Sequence, residues 1–153
     1  MDRTGKPLVR SAVAGMAALL CAATGGAQEA GRAADLHALD TCRGCAIDGQ
    51  DYSDRRLTGI DLGEARLTAT AFDRSGLGIA VFDRADLTGV SFDGADLRGA
   101  SFVDARLVNV TFVDADLRGA VFEGAILERT DLRSALLCNT QMPDDEMENS
   151  DCD

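Results

Sequence analysis

The chain has 153 residues, of which 46% are hydrophobic and only 5% are aromatic. Acidic residues outnumber lysine and arginine by 26 to 15, which gives a formal net charge of −11 at pH 7. This length predicts one domain. The negative excess argues against a protein that binds nucleic acid through a basic surface.

Residues 1–27 have the order of a secretory signal peptide. Lys6 and Arg10 precede an apolar run over residues 11–23, and small residues follow at 24–27. The run is shorter than the roughly 20 residues of a membrane-spanning helix, which favours a cleaved signal over a retained anchor. Removal of the signal leaves a charge of −13, because it takes away one acid and three bases. The sequence therefore predicts an exported protein, periplasmic or extracellular, without a membrane span.

Residues 28–40 are predicted to form a short helix, since Ala33, Leu36 and Leu39 recur at helical spacing. We expect this helix to cap the amino-terminal end of the structure that follows. His37, the only histidine, lies in it. No second imidazole, cysteine or serine accompanies it, which favours a surface residue over a catalytic or metal-binding one.

Cys42 and Cys45 form a C-x-x-C motif. Such a motif is a redox pair, half of a zinc site or a structural disulfide. A redox pair needs a following helix, whereas here a repeat begins at Ala46. A zinc site needs two further ligands nearby, and Cys138 and Cys152 lie at the far end of the chain. The motif therefore favours a structural disulfide.

Between residues 65 and 127 an apolar side chain returns at every fifth position, and leucine alternates with phenylalanine. The ladder consists of Leu67, Phe72, Leu77, Phe82, Leu87, Phe92, Leu97, Phe102, Leu107, Phe112, Leu117, Phe122 and Leu127. In an α-helix this period would spread the apolar residues around the whole cylinder. Short extended pieces separated by corners explain the pattern better, and a repeat this short is typical of a solenoid.

Three units, at residues 85–89, 95–99 and 115–119, share the pattern Ala-Asp-Leu-x-Gly. They resemble the A-[DN]-L-x-x unit of the pentapeptide repeat family. That family folds as an all-β solenoid, a right-handed quadrilateral β-helix with four units to a coil. The resemblance therefore implies a β-helix over residues 45–139 with twenty residues per coil.

Twenty-residue coils would stack like on like in four columns. Two columns are aliphatic, with Leu57, Leu77, Leu97, Leu117 and Leu137 in one and Ile47, Leu67, Leu87, Leu107 and Leu127 in the other. Two are aromatic in the main, with Leu62, Phe82, Phe102 and Phe122 in one and Tyr52, Phe72, Phe92, Phe112 and Leu132 in the other. We expect the small residues two positions earlier to occupy inward corners, where larger groups would overfill the core.

The same coils restrict the disulfides. Nearly five coils would separate Cys45 from Cys138, roughly 20 Å at strand spacing, whereas a disulfide needs Cα atoms within about 7 Å. We therefore expect Cys42 to pair with Cys45 and Cys138 with Cys152. The first bond would complete an N-terminal cap over residues 28–44. The second would close residues 140–153, which resemble the terminal segment of exported family members, into an acidic cap.

The repeat units follow one another without insertion, so no cleft is predicted. The outward positions are mostly Asp, Arg, Thr, Ser and Val, without histidine or lysine. Because catalysis needs converging groups in a concave site, the sequence predicts no enzyme, no cofactor and no metal centre. Asp73 and Asp93 would stack as like charges, which leaves a bound cation as an alternative to simple solvation.

The function we predict is that of an exported protein-interaction or structural module with an unidentified protein partner. Val81, Val103 and Val121 form the candidate patch, for a partner or a second copy. Further outward apolar residues are expected at Val108, Val113 and Ile126.

The alternative is an acidic mimic of a polyanion, since some cytoplasmic family members imitate duplex DNA to gyrase. Sixteen acids against ten arginines over residues 45–139 leave a charge of only −6, and the export signal also argues against it.

Overall fold

The computed structural model of the protein describes residues 41–153, so the predicted signal peptide and the predicted helix at 28–40 lie outside the described residues. The elements are strands β1 (Ala46–Asp48), β2 (Arg66–Thr68), β3 (Asp86–Thr88), β4 (Arg106–Val108) and β5 (Ile126–Glu128), a 3₁₀ turn (Leu132–Ser134), and strands β6 (Thr140–Gln141) and β7 (Met147–Glu148). Strands β1 to β5 form one parallel sheet in sequence order, and β6 and β7 form an antiparallel pair. No helix within residues 41–153 is long and apolar enough to cross a membrane.

Neighbouring strands pair at an offset of twenty residues. Ile47 lies opposite Leu67, which in turn lies opposite Leu87. Single bridges with the same offset occur on the other sides, as between Arg56 and Gly76. One turn therefore contains twenty residues, and the predicted β-solenoid is confirmed.

The solenoid has four walls, each defined by its column of inward side chains. Wall 1 contains strands β1 to β5. Wall 2 contains Tyr52, Phe72, Phe92, Phe112 and Leu132; wall 3 contains Leu57, Leu77, Leu97, Leu117 and Leu137; wall 4 contains Cys42, Leu62, Phe82, Phe102 and Phe122.

Tight turns form the corners after walls 2, 3 and 4. At a representative corner the N–H of Ser75 donates to the carbonyl oxygen of Phe72 at 3.1 Å. Arg74, the third residue of this turn, has a φ of 56°. This combination defines a type II turn, whose third residue is most often glycine because only glycine adopts a positive φ without strain. The chain therefore changes direction two residues after each inward side chain.

The predicted columns fill the interior. All six phenylalanines have 0% exposure. Phe102 stacks on Phe82 at 4.8 Å and on Phe122 at 4.7 Å between ring centroids, and it meets Phe92 and Phe112 of wall 2 edge-on. Offset stacking within a column and edge-to-face contact between columns are the arrangements that aromatic rings prefer. The small residues two positions earlier are buried as expected: Ala65, Thr70, Ser75, Ala80, Ala85, Val90, Ala95, Ala100, Ala105, Val110, Ala115, Ala120 and Ala125.

Each end of the described chain has a disulfide. Cys42 is bonded to Cys45, and Cys138 is bonded to Cys152. After Cys138 the chain forms the β6–β7 hairpin over wall 4, where the N–H of Phe122 donates to the carbonyl of Gln141 at 2.8 Å.

The last residues return to wall 3. The N–H of Asp151 donates to the carbonyl of Leu137 at 2.8 Å, and the Asp151 carboxylate accepts from the N–H of Leu137 at 2.9 Å. The C-terminal segment thus covers the ends of walls 3 and 4.

Candidate interaction surface

The three valines of the predicted patch lie on wall 4. Val81 and Val121 occupy one outward column with Ser101 between them, and Val103 lies two residues beyond Ser101. All three valines are half-buried. The Asp83 carboxylate accepts hydrogen bonds from the Ser101 hydroxyl and from the N–H of Val103. Polar groups therefore separate the valines, and the structure does not bring them into one continuous apolar patch.

The other three apolar residues that were predicted to face outward differ in exposure. Val113 and Ile126 are 47% and 56% exposed, which confirms their outward placement. The expectation that Val108 adds exposed surface is wrong, because Val108 is only 7% exposed. It lies in register between Thr88 and Glu128, and the Glu128 side chain is held on this wall by Arg106 at 2.6 Å. Neighbouring side chains in the ladder thus cover an outward-facing residue.

Ile79 is the most exposed large hydrophobic residue among residues 41–153, at 63%. It occupies the corner between walls 3 and 4 and has a φ of 53°. The equivalent corner position is glycine in the neighbouring turns, at Gly59, Gly99 and Gly119, each with a positive φ. A Cβ atom on Gly99 would lie 3.3 Å from Cγ2 of Ile79. The isoleucine side chain therefore rests against glycine backbone and projects from an otherwise bare ridge.

An open groove of about 340 Å³ lies beside this isoleucine. Its other lining residues are Thr58, Gly78, Asp96 and Arg98. We name Ile79 together with these four residues the Ile79 patch. The patch combines one exposed apolar side chain with bare glycine backbone and a charged pair.

Sequence reasoning missed Ile79. The sequence did contain a signal: a β-branched residue interrupts a column of glycines. This turn position has a positive φ, which is least favourable for β-branched side chains.

Ion pairs run along wall 3 beside the patch. Arg98 donates to the Asp96 carboxylate through Nε at 2.8 Å and through Nη2 at 2.6 Å, and Arg118 binds Asp116 with the same distances. These guanidinium hydrogen bonds hold the pKa values of both carboxyl groups below their usual range. Arg98 also lies 3.8 Å from Asp116 in the next turn. The two pairs therefore form one ladder of alternating charge.

Opposite charges alternate elsewhere as well. Arg66, Asp86 and Arg106 are in register on wall 1. At the corner after wall 2, Arg74 binds Asp54 at 2.8 Å. Such exposed pairs contribute little stability individually, but they divide the acidic residues into short groups.

The predicted pair Asp73 and Asp93 has protein partners. The Ser91 hydroxyl donates to Asp73, and the N–H of Val113 donates to Asp93 at 3.0 Å. Across residues 41–153 no group of three or more histidine, cysteine or acidic side chains is arranged to hold a metal ion. The carboxylates on this wall therefore act as hydrogen-bond acceptors for the next turn.

The residue pattern and the coil geometry agree with known proteins. A family model for pentapeptide repeats, in eight copies, matches residues 80–119 and 115–143. A solved structure of a pentapeptide repeat protein from the thylakoid lumen of Arabidopsis thaliana is 30% identical, with a TM-score of 0.53, over 69% of this chain and 70% of that one. The chain belongs to the pentapeptide repeat family.

A second solved structure is that of HetL, a pentapeptide repeat protein involved in heterocyst differentiation regulation from the cyanobacterium Nostoc sp. strain PCC 7120. It is 27% identical, with a TM-score of 0.50, over 71% of this chain and 51% of HetL. This pentapeptide repeat protein thus spans about half the length of HetL. A search of curated protein sequences gives no significant match.

Proposed function

We propose that this pentapeptide repeat protein acts after export as a non-enzymatic interaction module, and that the Ile79 patch is the centre of its contact surface. The observation that carries the proposal is the combination of strain and exposure at Ile79, with a φ of 53° and a side chain that is 63% exposed. Pentapeptide repeat proteins are in general structural or interaction modules, which is consistent with this role.

Ile79 destabilises the fold locally. A left-handed conformation costs an L-residue roughly 1–2 kcal/mol, and it is least favourable for a β-branched side chain. Ile79 is the only β-branched residue with a positive φ among residues 41–153. Its exposed side chain cannot recover that cost by burial in the core. A strained residue without a folding benefit supports a functional role for the side chain.

The rest of the fold supports a binding role at the surface. Phenylalanine and leucine columns fill the interior, so a partner must bind on an outer face or at an end of the solenoid. Hydrogen bonds between successive turns hold the backbone on either side of the patch, as from Ile79 N–H to the carbonyl of Arg98 at 2.9 Å. A surface held this firmly loses little conformational freedom on binding.

The alternative role, an acidic mimic of a polyanion, is less well supported. Mimicry of a nucleic acid needs a continuous negative face. In the described part of the chain, arginines alternate with the acidic residues on wall 1 and wall 3. We therefore favour contact through a mixed apolar and polar patch.

The test compares Ile79→Asn with the unmodified exported protein. Asparagine already occupies the same column of corner residues at Asn139, with a φ of 52°. We expect the variant to unfold at higher urea concentration, with a gain in the free energy of unfolding of about 1 kcal/mol from relief of strain. We also expect it to capture less of the partner in crosslinked pull-downs from the cell envelope and from the culture medium.

Val113→Asn is the matched control, because it removes an exposed valine from wall 2 without a positive φ. It should leave partner capture unchanged. Equal capture by the protein, by Ile79→Asn and by the control would contradict the proposal. Loss of capture together with a gain in stability separates a binding role from a folding role.

A further inference from the structure

The four walls of the solenoid end differently at the C-terminus. The β6–β7 hairpin lies over wall 4, and the segment around Asp151 lies over wall 3. On wall 2 the 3₁₀ turn at Leu132–Ser134 ends the column, with Leu132 buried. Wall 1 ends in β5, and no described strand lies beyond it. Leu127 of this strand is only half-buried, unlike the buried leucines below it.

Within residues 41–153, backbone groups of β5 lack partners at this edge, which we call the open edge. In earlier turns the carbonyl oxygens of Ala65, Ala85 and Ala105 each accept an N–H from the following turn. No N–H of residues 41–153 reaches the equivalent carbonyl of Ala125. Edge groups of this kind form a template for another strand.

The N–H groups at this edge follow the same rule. In earlier turns the corner N–H groups of Ala69, Gly89 and Asn109 donate to carbonyls of the next turn. At the equivalent corner, the N–H of Arg129 meets no acceptor within the part of the chain that the structure describes. The edge therefore offers a donor and an acceptor in the spacing of a parallel sheet.

The apolar surface at the edge is also incomplete. Ile126 is 56% exposed on the outer face of β5, and Leu127 is half-buried on the inner face. A strand added at this edge would place one side chain above Leu127 and its two neighbours beside Ile126 and Glu128, because successive side chains of a strand alternate between faces.

The charges beside this edge are negative. The N–H of Gly124, just before β5, donates to the carbonyl of Pro143 at 3.3 Å, so the turn that follows Pro143 lies at the corner where β5 begins. This acidic turn contains Asp144, Asp145, Glu146 and Glu148. None of these four carboxylates has an ion-pair partner in the range 41–153. The Gln141 amide, which donates to Asp145 at 3.2 Å, is uncharged.

We infer that the open edge of β5 binds an extended peptide of a partner protein, with alternating apolar and basic side chains, as an added strand. The backbone groups of Ala125 and Arg129 would pair with the peptide backbone. An apolar peptide side chain would cover Leu127, and its basic neighbours would lie against Ile126 and the acidic turn. Strand addition of this kind obtains affinity from the main chain and specificity from alternate side chains.

The test uses a fluorescein-labelled heptapeptide of alternating lysine and valine, with fluorescence polarisation as the readout. We expect saturable binding that weakens as salt is raised, because salt screens the acidic turn. In hydrogen exchange, the amides of Leu127 and Arg129 should slow on binding. A peptide that differs only by proline at its central position should bind at least tenfold more weakly, since proline lacks the N–H.

Ile126→Lys should weaken binding of the lysine–valine peptide at least tenfold, because a positive charge at an edge strand repels a basic strand. Val113→Lys, at another exposed position on wall 2, should leave binding unchanged. The inference would be overturned if the proline peptide bound as tightly as the lysine–valine peptide. It would also be overturned if Ile126→Lys did not weaken binding, or if the lysine–valine peptide did not bind at millimolar concentration. If sedimentation showed a dimer that Ile126→Lys dissociates, the edge would bind a second copy of this chain and the inference would be overturned.

The two proposals can fail separately. Ile79 lies on a different corner from β5, so Ile79→Asn should not affect binding of the lysine–valine peptide.

Discussion

The central turns and the C-terminal end of this protein obey different rules. Between residues 65 and 122 every turn repeats the same inward side chains, turns and hydrogen bonds, so each turn is the template for the next. Beyond residue 125 the repeat of turns stops, and each of the four walls ends in a different structure. The hairpin, the return of Asp151, the 3₁₀ turn and the open edge of β5 each replace the missing turn differently. A solenoid turn is stabilised by the turns on either side of it, so the last turn, which has a neighbour on one side only, needs other contacts on each wall.

The largest effect is expected from the centre of the repeated region. Phe102→Ala should lower the free energy of unfolding by about 3–5 kcal/mol, because it leaves a cavity in a fully buried aromatic column. Phe102 contacts four other phenylalanine rings, so the lost contacts involve two walls. Urea unfolding followed by circular dichroism measures the change.

Phe102→Leu is the control for this prediction, because leucine already occupies Leu62 on the same wall. Phe102→Leu should lower the free energy of unfolding by less than half as much as Phe102→Ala does. Equal effects of leucine and alanine would show that ring stacking, and not the filling of volume, stabilises the column.

The C-terminal end should respond to loss of its disulfide. The double variant Cys138→Ala and Cys152→Ala opens a loop with a sequence separation of 14 residues, and chain-entropy reasoning gives a loss of about 3 kcal/mol. Cys42→Ala with Cys45→Ala opens a much smaller loop, with a separation of 3, and should cost about 2 kcal/mol. Thermal unfolding without reductant compares the two.

Hydrogen exchange locates the effect of the C-terminal variant. We expect faster exchange of the amides at Leu137 and Gln141, while the amide of Phe92 in the central turns stays protected. Uniformly faster exchange along the whole solenoid would show that the end and the centre unfold as one unit.

The smallest effect concerns the surface of the repeated region. The Asp116 pKa is lowered by its hydrogen bonds with Arg118, so the folded protein binds its proton more weakly than the unfolded chain does. The stabilisation from this pair is therefore present above the ordinary carboxyl pKa and is lost as the pH falls through the lowered value. Asp116→Asn should cost about 0.5–1 kcal/mol at pH 7.

At a pH below the lowered pKa of Asp116, Asp116→Asn and the unmodified protein should have the same free energy of unfolding. Urea unfolding at pH 7 and at a series of lower pH values follows this difference through the titration. A difference that stays constant over the whole series would mean that the Asp116 side chain acts through packing and not through its charge.

Much of the interior could be predicted from the sequence. The resemblance to the pentapeptide repeat family implied the twenty-residue turn, and the like residues twenty positions apart agreed with it, because a shift by one five-residue unit would stack leucine on phenylalanine. The surface was less predictable. Val108 has an outward position, yet the side chains of the neighbouring turns cover it. The exposure of an outward residue therefore depends on two other residues that lie twenty positions away.

The end of the chain was the least predictable region. Met147 lies twenty residues after Leu127, so a continued ladder would place it on wall 1. It pairs instead with Gln141 in the hairpin. Pro143, two residues after Gln141, has no N–H to donate to a further turn, and four carboxylates follow within five residues. Local turn chemistry thus overrides the five-residue period at this point.

The twenty-residue turn also determines which changes of chain length the fold can absorb. Duplication of one whole turn would lengthen the molecule by roughly 4.8 Å and leave every column intact. Duplication of a single five-residue unit would instead rotate everything downstream by a quarter turn, and leucines would then lie over phenylalanines. Growth in steps of four units keeps both the interior and the charge ladders in phase, whereas a gain of one unit disturbs them all.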